Sequence, residues 1–305
     1  MDTPLYFLQE FCGNKVYIKR DDLIPFSFGG NKARKAELFF EEILRQNCDC
    51  VVTYGSSSSN HCRVVANMAA KHNLKCFIVS PEENYVQTFN TKLVKSFGAS
   101  IVKCSLDKVS VTISNLMEEL SKTCSPYFIQ GGGHGNLGTQ AYVNAYGEIC
   151  RYEEQNGIFF DYIFLASGTG TTQAGLVCGA ALKKHLSKKI VGISIARKNP
   201  RGAKVVEESV KDYLEAKGYE DDLPEIIFND GYICGGYGEY NDEILLCIKE
   251  LIEKHGIPAN STYTGKAFWG MRDYIVKNKI SGKNVLFIHT GGAPLFFDDL
   301  KRIDE

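Results

Sequence analysis

The stretch Phe26-Ser27-Phe28-Gly29-Gly30-Asn31-Lys32-Ala33-Arg34-Lys35 decides how the rest of the chain is read. Two glycines ahead of a lysine let the backbone bend sharply and leave the amine open to a flat ligand. Upstream, Val16-Tyr17-Ile18-Lys19 has the β-branched and aromatic character of a strand. Downstream, residues 34–45 carry Leu38, Ile43 and Leu44 among the apolar positions of an amphipathic helix. A strand, a glycine turn and a helix make one β–α unit. A partly desolvated lysine at such a turn suits an enzyme that holds an aldehyde as a Schiff base. Alone the motif is weak, because most lysines are solvated surface charges.

The same alternation runs outward from this unit. Residues 50–54, 76–79, 100–103 and 127–129 read as strands, with helices over 60–72, 85–97 and 109–121 between them. The glycine-rich Gly131-Gly132-Gly133-His134-Gly135 breaks the pattern. Helix 142–154, strand 161–166, helix 172–185 and strand 189–195 follow, then helices 205–217, 242–255 and 266–278 and a closing strand 284–289. Such alternation predicts an α/β protein with parallel sheets covered by helices. No repeat, coiled coil or low-complexity tract interrupts it.

Composition narrows the function classes. The 305 residues are 44% hydrophobic, enough for a substantial core, and 35 basic against 36 acidic residues leave a net charge of −1. That balance argues against nucleic acid or an anionic membrane as partner. No apolar run is long enough to span a bilayer, and Met1-Asp2-Thr3-Pro4-Leu5 lacks the basic and apolar regions of a signal peptide, so a cytoplasmic location is expected. The 11 cysteines are odd in number, and Cys76, Cys178 and Cys247 lie in apolar runs as small buried hydrophobes. Cys48-Asp49-Cys50 is too tight for zinc and no C-x-x-C occurs, so neither a disulfide framework nor a metal is expected. The sequon Asn260-Ser261-Thr262 reads as a chance match.

Three further stretches carry chemistry. Ser167-Gly168-Thr169-Gly170-Thr171-Thr172-Gln173 joins a strand to a helix, and its amides and hydroxyls can cradle a phosphate. Gln173 stands where a dinucleotide fingerprint needs its third glycine, which favours a single phosphate group. Ser56-Ser57-Ser58-Ser59-Asn60-His61 opens a helix with more hydroxyls than a cap requires, and suits a carboxylate. Tyr263-Thr264-Gly265-Lys266 and His289-Thr290-Gly291-Gly292 complete the set; the second ends a strand, where open α/β sheets place ligands.

Taken together, these motifs resemble the fold-type II pyridoxal-phosphate enzymes, which share a tryptophan-synthase-β-like fold. More narrowly, they resemble the family of ACC deaminase and D-cysteine desulfhydrase. The likeness runs from Thr3-Pro4-Leu5 through Tyr17-Ile18-Lys19-Arg20-Asp21-Asp22-Leu23 to Thr290-Gly291-Gly292-Ala293-Pro294, and is most specific around Lys32. It implies two three-layer domains: residues 1–47 plus 139–305 as the larger, cofactor-binding one, and 48–138 as an inserted four-stranded unit. Lys32 would hold pyridoxal 5′-phosphate as a Schiff base and later move the α-proton. Asn60 would bond the ring hydroxyl, Gly168, Thr169, Gly170, Thr171 and Thr172 the phosphate, and Thr290 the pyridine nitrogen. Ser59, Asn60 and His61 would hold the carboxylate of a small amino-acid substrate, with Tyr237, Tyr263 and Thr264 beside it. Ser59 and Tyr263 join Lys32 as expected catalytic groups.

Tyr263-Thr264 and His289-Thr290 fall on the desulfhydrase side of the family, where ACC deaminases carry Tyr-Glu and a leucine. A threonine stabilises a protonated pyridine less well than a carboxylate does, which suits β-elimination with a good leaving group. The resemblance therefore implies a lyase converting D-cysteine to pyruvate, sulfide and ammonia, in a homodimer. ACC deamination, cysteate sulfo-lysis and a non-catalytic Rossmann-like binding role are the alternatives. Asn260-Ser261-Thr262 and the glycines around His134 depart from the family pattern and leave the leaving group and stereochemistry open.

Overall fold

The computed structural model describes residues 2–83 and 86–303. Its larger sheet runs in the order β1-β2-β10-β7-β8-β9, built from β1 (Leu5–Phe11), β2 (Asn14–Arg20), β7 (Tyr162–Ser167), β8 (Lys189–Ser194), β9 (Ile226–Asn229) and β10 (Asn284–His289). All of its pairings are parallel except the β1–β2 hairpin at one edge. The smaller sheet is parallel throughout, in the order β5-β4-β3-β6, from β3 (Cys50–Tyr54), β4 (Lys75–Pro81), β5 (Ser100–Cys104) and β6 (Pro126–Ile129). The helices are α1 (Asn31–Arg45), α2 (Asn60–Lys71), α3 (Phe89–Ser96), α4 (Val109–Leu120), α5 (Asn136–Asn156), α6 (Thr171–Leu182), α7 (Arg201–Glu215), α8 (Asp242–His255), α9 (Thr264–Lys277) and α10 (Ala293–Ile303).

Side-chain alternation explains why the central strands read as unbroken apolar runs. Along β7, Ile163 and Leu165 enter one core while Phe164 and Ala166 enter the core on the opposite face. Strand β10 divides the same way, with Leu286 and Ile288 on the first face and Val285 and Phe287 on the second. A parallel strand covered on both faces has no polar side to show. A third core, around Phe40, Val51, Val65 and Ile129, packs α1 and α2 onto the smaller sheet.

Several expectations change here. Lys32 lies in the first turn of α1, because the helix opens at Asn31 rather than after the motif. The helix expected from residue 85 starts at Phe89 and is capped by Thr88; Tyr85 itself lies outside the described residues. Helix α6 stops at Leu182, short of residue 185. The edge strand β1, the short β9 and the last helix α10 were not expected, and β1 makes the larger sheet mixed rather than wholly parallel.

A buried ionic cluster anchors the start of α1. Arg34 donates to Asp21 at 2.8 Å and to Glu148 of α5 at 2.6 Å, Lys19 of β2 reaches the same Glu148, and Tyr142 donates to Asp21 at 2.6 Å. Burial would raise the Asp21 carboxyl, but Arg34 and Lys19 outweigh it and hold it below its ordinary range. The backbone amide of Gly30 donates to the Asp21 carbonyl at 2.7 Å, so the cluster also fixes the turn that carries Lys32.

Candidate active site

The cavity between the sheets measures about 570 Å³ and is bounded by the loops that follow β3, β6, β7, β8 and β10. Each of these is the C-terminal end of a parallel strand, where converging amides leave room for a ligand. Lys32 lines the cavity and donates to the Gly132 carbonyl at 2.8 Å. Burial lowers its ammonium to about 8, so about a tenth of the amine is free at neutral pH, far more than for a solvated lysine.

The glycines of the lysine motif act by close approach as well as by turning. Gly30 sits at φ +96°, and a Cβ there would lie 2.7 Å from the Thr290 carbonyl oxygen. Gly291 is as tight, since its Cβ would meet the Gly30 Cα at 2.5 Å. The turn before Lys32 therefore packs directly on the strand end that carries Thr290. His289 secures that end: its Nδ1 lies 3.1 Å from Asp22 and its Nε2 lies 3.0 Å from the Pro258 carbonyl. Burial alone would raise Asp22; His289 and Arg20 overcome it and hold the carboxyl well below its usual range.

The start of α6 is open toward the cavity. Gly168, Thr169, Gly170 and Thr172 line it, and no side chain caps the helix. Its first amides therefore have no partner among the described residues. Ser167 also lines the cavity, and its buried Oγ bonds nothing among the described residues. Asn31 Nδ2 donates to Thr172 Oγ1 at 3.0 Å, tying this loop to the first turn of α1. The expected hydroxyl of Thr171 is different: it is fully buried, without a partner among the described residues and off the cavity wall, which leaves its backbone amide as the group available to a phosphate. Gln173 fills the space beside Gly192 and donates to the Ile227 carbonyl at 2.8 Å, a packing role.

Ser59, Asn60 and His61 meet at the start of α2, and all three line the cavity. Ser59 Oγ accepts from the Cys62 amide at 3.3 Å and so also caps the helix. Thr53 gives its hydroxyl proton to the Ile129 carbonyl, so it accepts from His61 Nε2 at 2.8 Å. His61 is buried beside Lys32 and Lys35, and both effects hold its ring well below the ordinary value and neutral. Its ring therefore offers no positive charge to the cavity.

Tyr263 and Tyr237 lie beside this helix start, their hydroxyls 2.5 Å apart, and Tyr237 also approaches Ser58 at 3.3 Å. Burial first, and Tyr237 second, push the Tyr263 phenol well above its usual value. Thr264, expected beside the substrate, does not line the cavity: it is fully buried and its Oγ1 accepts from the Asn260 amide at 3.1 Å. Asn260 is itself buried and positions Tyr263 through a 2.9 Å bond from the Tyr263 amide.

Arg197, Glu208 and His134 also face the cavity. Arg197 follows β8 and donates to the Gly168 carbonyl at 3.0 Å, and only its place beyond a strand end hinted at the site. His134 Nε2 faces Ser209 at 3.2 Å, and burial lowers the ring.

An amine of lowered pKa, an uncapped helix start and an idle hydroxyl fit a phosphorylated aldehyde. The description of pyridoxal-phosphate dependent enzymes matches residues 1–291. The chain belongs to the pyridoxal-phosphate-dependent enzyme family. This family member is 34% identical over 300 residues to the D-cysteine desulfhydrase of Serratia proteamaculans, across 95% of this chain and 90% of that protein. The D-cysteine desulfhydrase of Yersinia pestis strain Pestoides F gives the same figures. Among solved structures, an ACC deaminase homologue superposes with a TM-score of 0.87 at 31% identity, covering 99% of this chain and 93% of that one. A hydrogen sulfide-producing enzyme of Fusobacterium nucleatum, at 20% identity and a TM-score of 0.65, shares the fold. Within this family the aldehyde partner is pyridoxal 5′-phosphate.

Proposed function

We propose that this pyridoxal-phosphate enzyme is a β-eliminating lyase whose substrate is D-cysteine, released as pyruvate, sulfide and ammonia. The observation that carries the reading is Thr290 on the cavity wall at the end of β10, with Glu208 of α7 the sole carboxylate lining the cavity among the described residues. A hydroxyl in that position leaves the pyridine nitrogen without a negative partner, and a weak electron sink works best when a good leaving group departs from Cβ. The 34% identical D-cysteine desulfhydrases support the same substrate.

Bound pyridoxal phosphate supplies a conjugated electron sink for the substrate's α-carbon. The protein's own groups supply the rest. Lys32 would hold the aldehyde and, when free, would take the proton from Cα; with its ammonium lowered to about 8, the amine is basic enough to do so and a useful fraction is unprotonated. The amides at the start of α2, with Ser59 Oγ, bind the α-carboxylate and orient the Cα–H bond. Tyr263, kept protonated by burial, donates toward the departing sulfur. The loop from Gly168 to Thr172 would hold the phosphate, and Asn60 the ring oxygen.

The division into residues 1–47 plus 139–305 and 48–138 places Lys32 on the larger part and the α2 start on the smaller, with the reaction between them. A cytoplasmic homodimer is the accompanying reading, tested by cell fractionation and by light scattering of the purified protein. The substrate test measures sulfide, pyruvate and ammonia from D-cysteine, L-cysteine, D-serine, cysteate and ACC. Sulfide from D-cysteine well above that from L-cysteine is expected. Product from ACC alone would replace this reading with the deaminase one, which the 31% identical ACC deaminase homologue favours.

A further inference from the structure

Arg63 of α2 is fully buried and forms no ion pair among the described residues. Its Nη1 donates to Asn60 Oδ1 at 2.7 Å and to Asn90 Oδ1 at 3.0 Å, its Nη2 reaches only the Gly29 carbonyl at 3.5 Å, and its Nε has no acceptor. The Phe28 ring lies 5.8 Å from the guanidinium. Asn90 in turn donates to Asn60 Oδ1 at 2.9 Å and to the Ser58 carbonyl at 2.8 Å. The Asn60 carbonyl thus takes two donors, one of them cationic. Its NH₂ is left for the cavity that Asn60 lines.

A buried cation without an anion is costly, and such a charge calls for a partner. We infer that Arg63 is a positioning residue whose charge, relayed through Asn60, stabilises the ionised ring oxygen of the bound cofactor. The inference rests on the assignment of Asn60 to that oxygen. Arg63 withdraws electron density from the Asn60 carbonyl, which makes the NH₂ a stronger donor toward an anion. Asn90, from α3, fixes the amide so that nitrogen rather than oxygen faces the cavity. The other ionisable groups around this point are Lys32 and Lys35 of α1, His61 and Cys62 of α2, Tyr237, and Tyr263 at the start of α9. Burial lowers both lysines and His61 and raises Cys62 and Tyr263. Arg197 is engaged with the Gly168 carbonyl. Arg63 therefore stands as the fixed charge behind Asn60.

The test follows the visible absorption of the bound cofactor as a function of pH, and the affinity of apoprotein for pyridoxal phosphate. Arg63→Gln keeps a donor and removes the charge. It is expected to raise the pH midpoint of the visible band by about one unit and to weaken cofactor binding about tenfold. Arg63→Lys restores most of both. Asn60→Ala reproduces the shift, and the double variant adds nothing further. A wild-type midpoint and affinity in Arg63→Gln would overturn the inference, as would equal displacement in the Gln and Lys variants, which marks a purely structural role. An unshifted Asn60→Ala holoenzyme overturns it independently of whether the Arg63 variants fold. Wild-type protein that binds no pyridoxal phosphate would overturn the cofactor assignment itself.

Discussion

The phenol oxygens of Tyr263 and Tyr237 lie 2.5 Å apart, so one donates to the other beside the start of α2. Tyr263 is the less exposed member, partly buried against the core under α9, and its phenol is pushed well above the ordinary value, whereas Tyr237 is 41% exposed. For the proposed elimination, that asymmetry favours Tyr263 as the proton donor, with Tyr237 in a supporting role. Tyr263→Phe is expected to lower kcat/KM on D-cysteine about 100-fold, the scale of one general acid, with the cofactor spectrum unchanged. Tyr237→Phe removes one hydrogen bond and should cost about fivefold. Steady-state sulfide release checks both, and equal losses in the two variants would refute the assignment.

Lys32 sets a pH dependence in apoprotein reconstitution. Its ammonium is lowered to about 8, and only the neutral amine attacks the aldehyde. The rate of chromophore formation with added pyridoxal phosphate should climb about tenfold per pH unit below that value and level off above it. Lys32→Ala should give no chromophore, no hydride-trapped adduct and no turnover. A rate that keeps climbing to the ordinary lysine range of 10.5 would show that the amine is solvated.

Ser167 offers a test in which cofactor affinity and apoprotein stability respond differently. Its Oγ is buried, bonds nothing among the described residues and lines the cavity. Removing an unsatisfied buried hydroxyl leaves a fold no weaker, yet loses a bond to any phosphate placed there. Ser167→Ala is expected to weaken pyridoxal phosphate about tenfold while the apoprotein melts at the same temperature or higher. Calorimetry of apoprotein together with an absorbance titration decides it; a lower melting temperature with unchanged affinity would show that Ser167 serves packing.

The parts legible in sequence were those that repeat a period or concentrate a residue type. The central strands read clearly because both of their faces are buried, and the Lys32 and Gly168 loops because glycines and hydroxyls cluster there. The edge strand β1 escaped notice because exposed Phe7 and partly buried Leu8 and Gln9 break the alternation, with a register shift between Phe7 and Gln9. Strand β9 has only four residues. Arg63, Arg197 and Asn260 were missed for a different reason. Each is a single residue defined by what the fold brings to it, and no local pattern encodes that. Thr264 failed in the opposite direction: its motif placed it beside the substrate, but the first turn of α9 directs it to Asn260.

Asp21 shows how far from the cavity the chemistry of Lys32 is set. Its carboxylate pairs with Arg34 and Lys19, accepts a hydrogen bond from the Tyr142 hydroxyl, and is fully buried, while its backbone carbonyl holds the Gly30 amide. Asp21→Asn keeps the shape and removes the charge, leaving Glu148 alone to balance two buried cations. Breaking a buried pair in this way costs about 3–5 kcal/mol, to be read from urea unfolding of the apoprotein. The native carboxyl sits below its ordinary value of 3.8. Its stabilisation is therefore complete above that value and is lost as pH falls through the lower native one, since the unfolded chain then binds the proton more readily. The Asn variant should lack that part of the acid-induced loss. Because the same segment fixes the turn before α1, the variant should also form the chromophore more slowly when folded. A stability change under about 1 kcal/mol would mean that the cluster is solvated, and that the turn at Gly30 is held by its backbone bond to residue 21 and its packing on Thr290 without help from the side-chain charges.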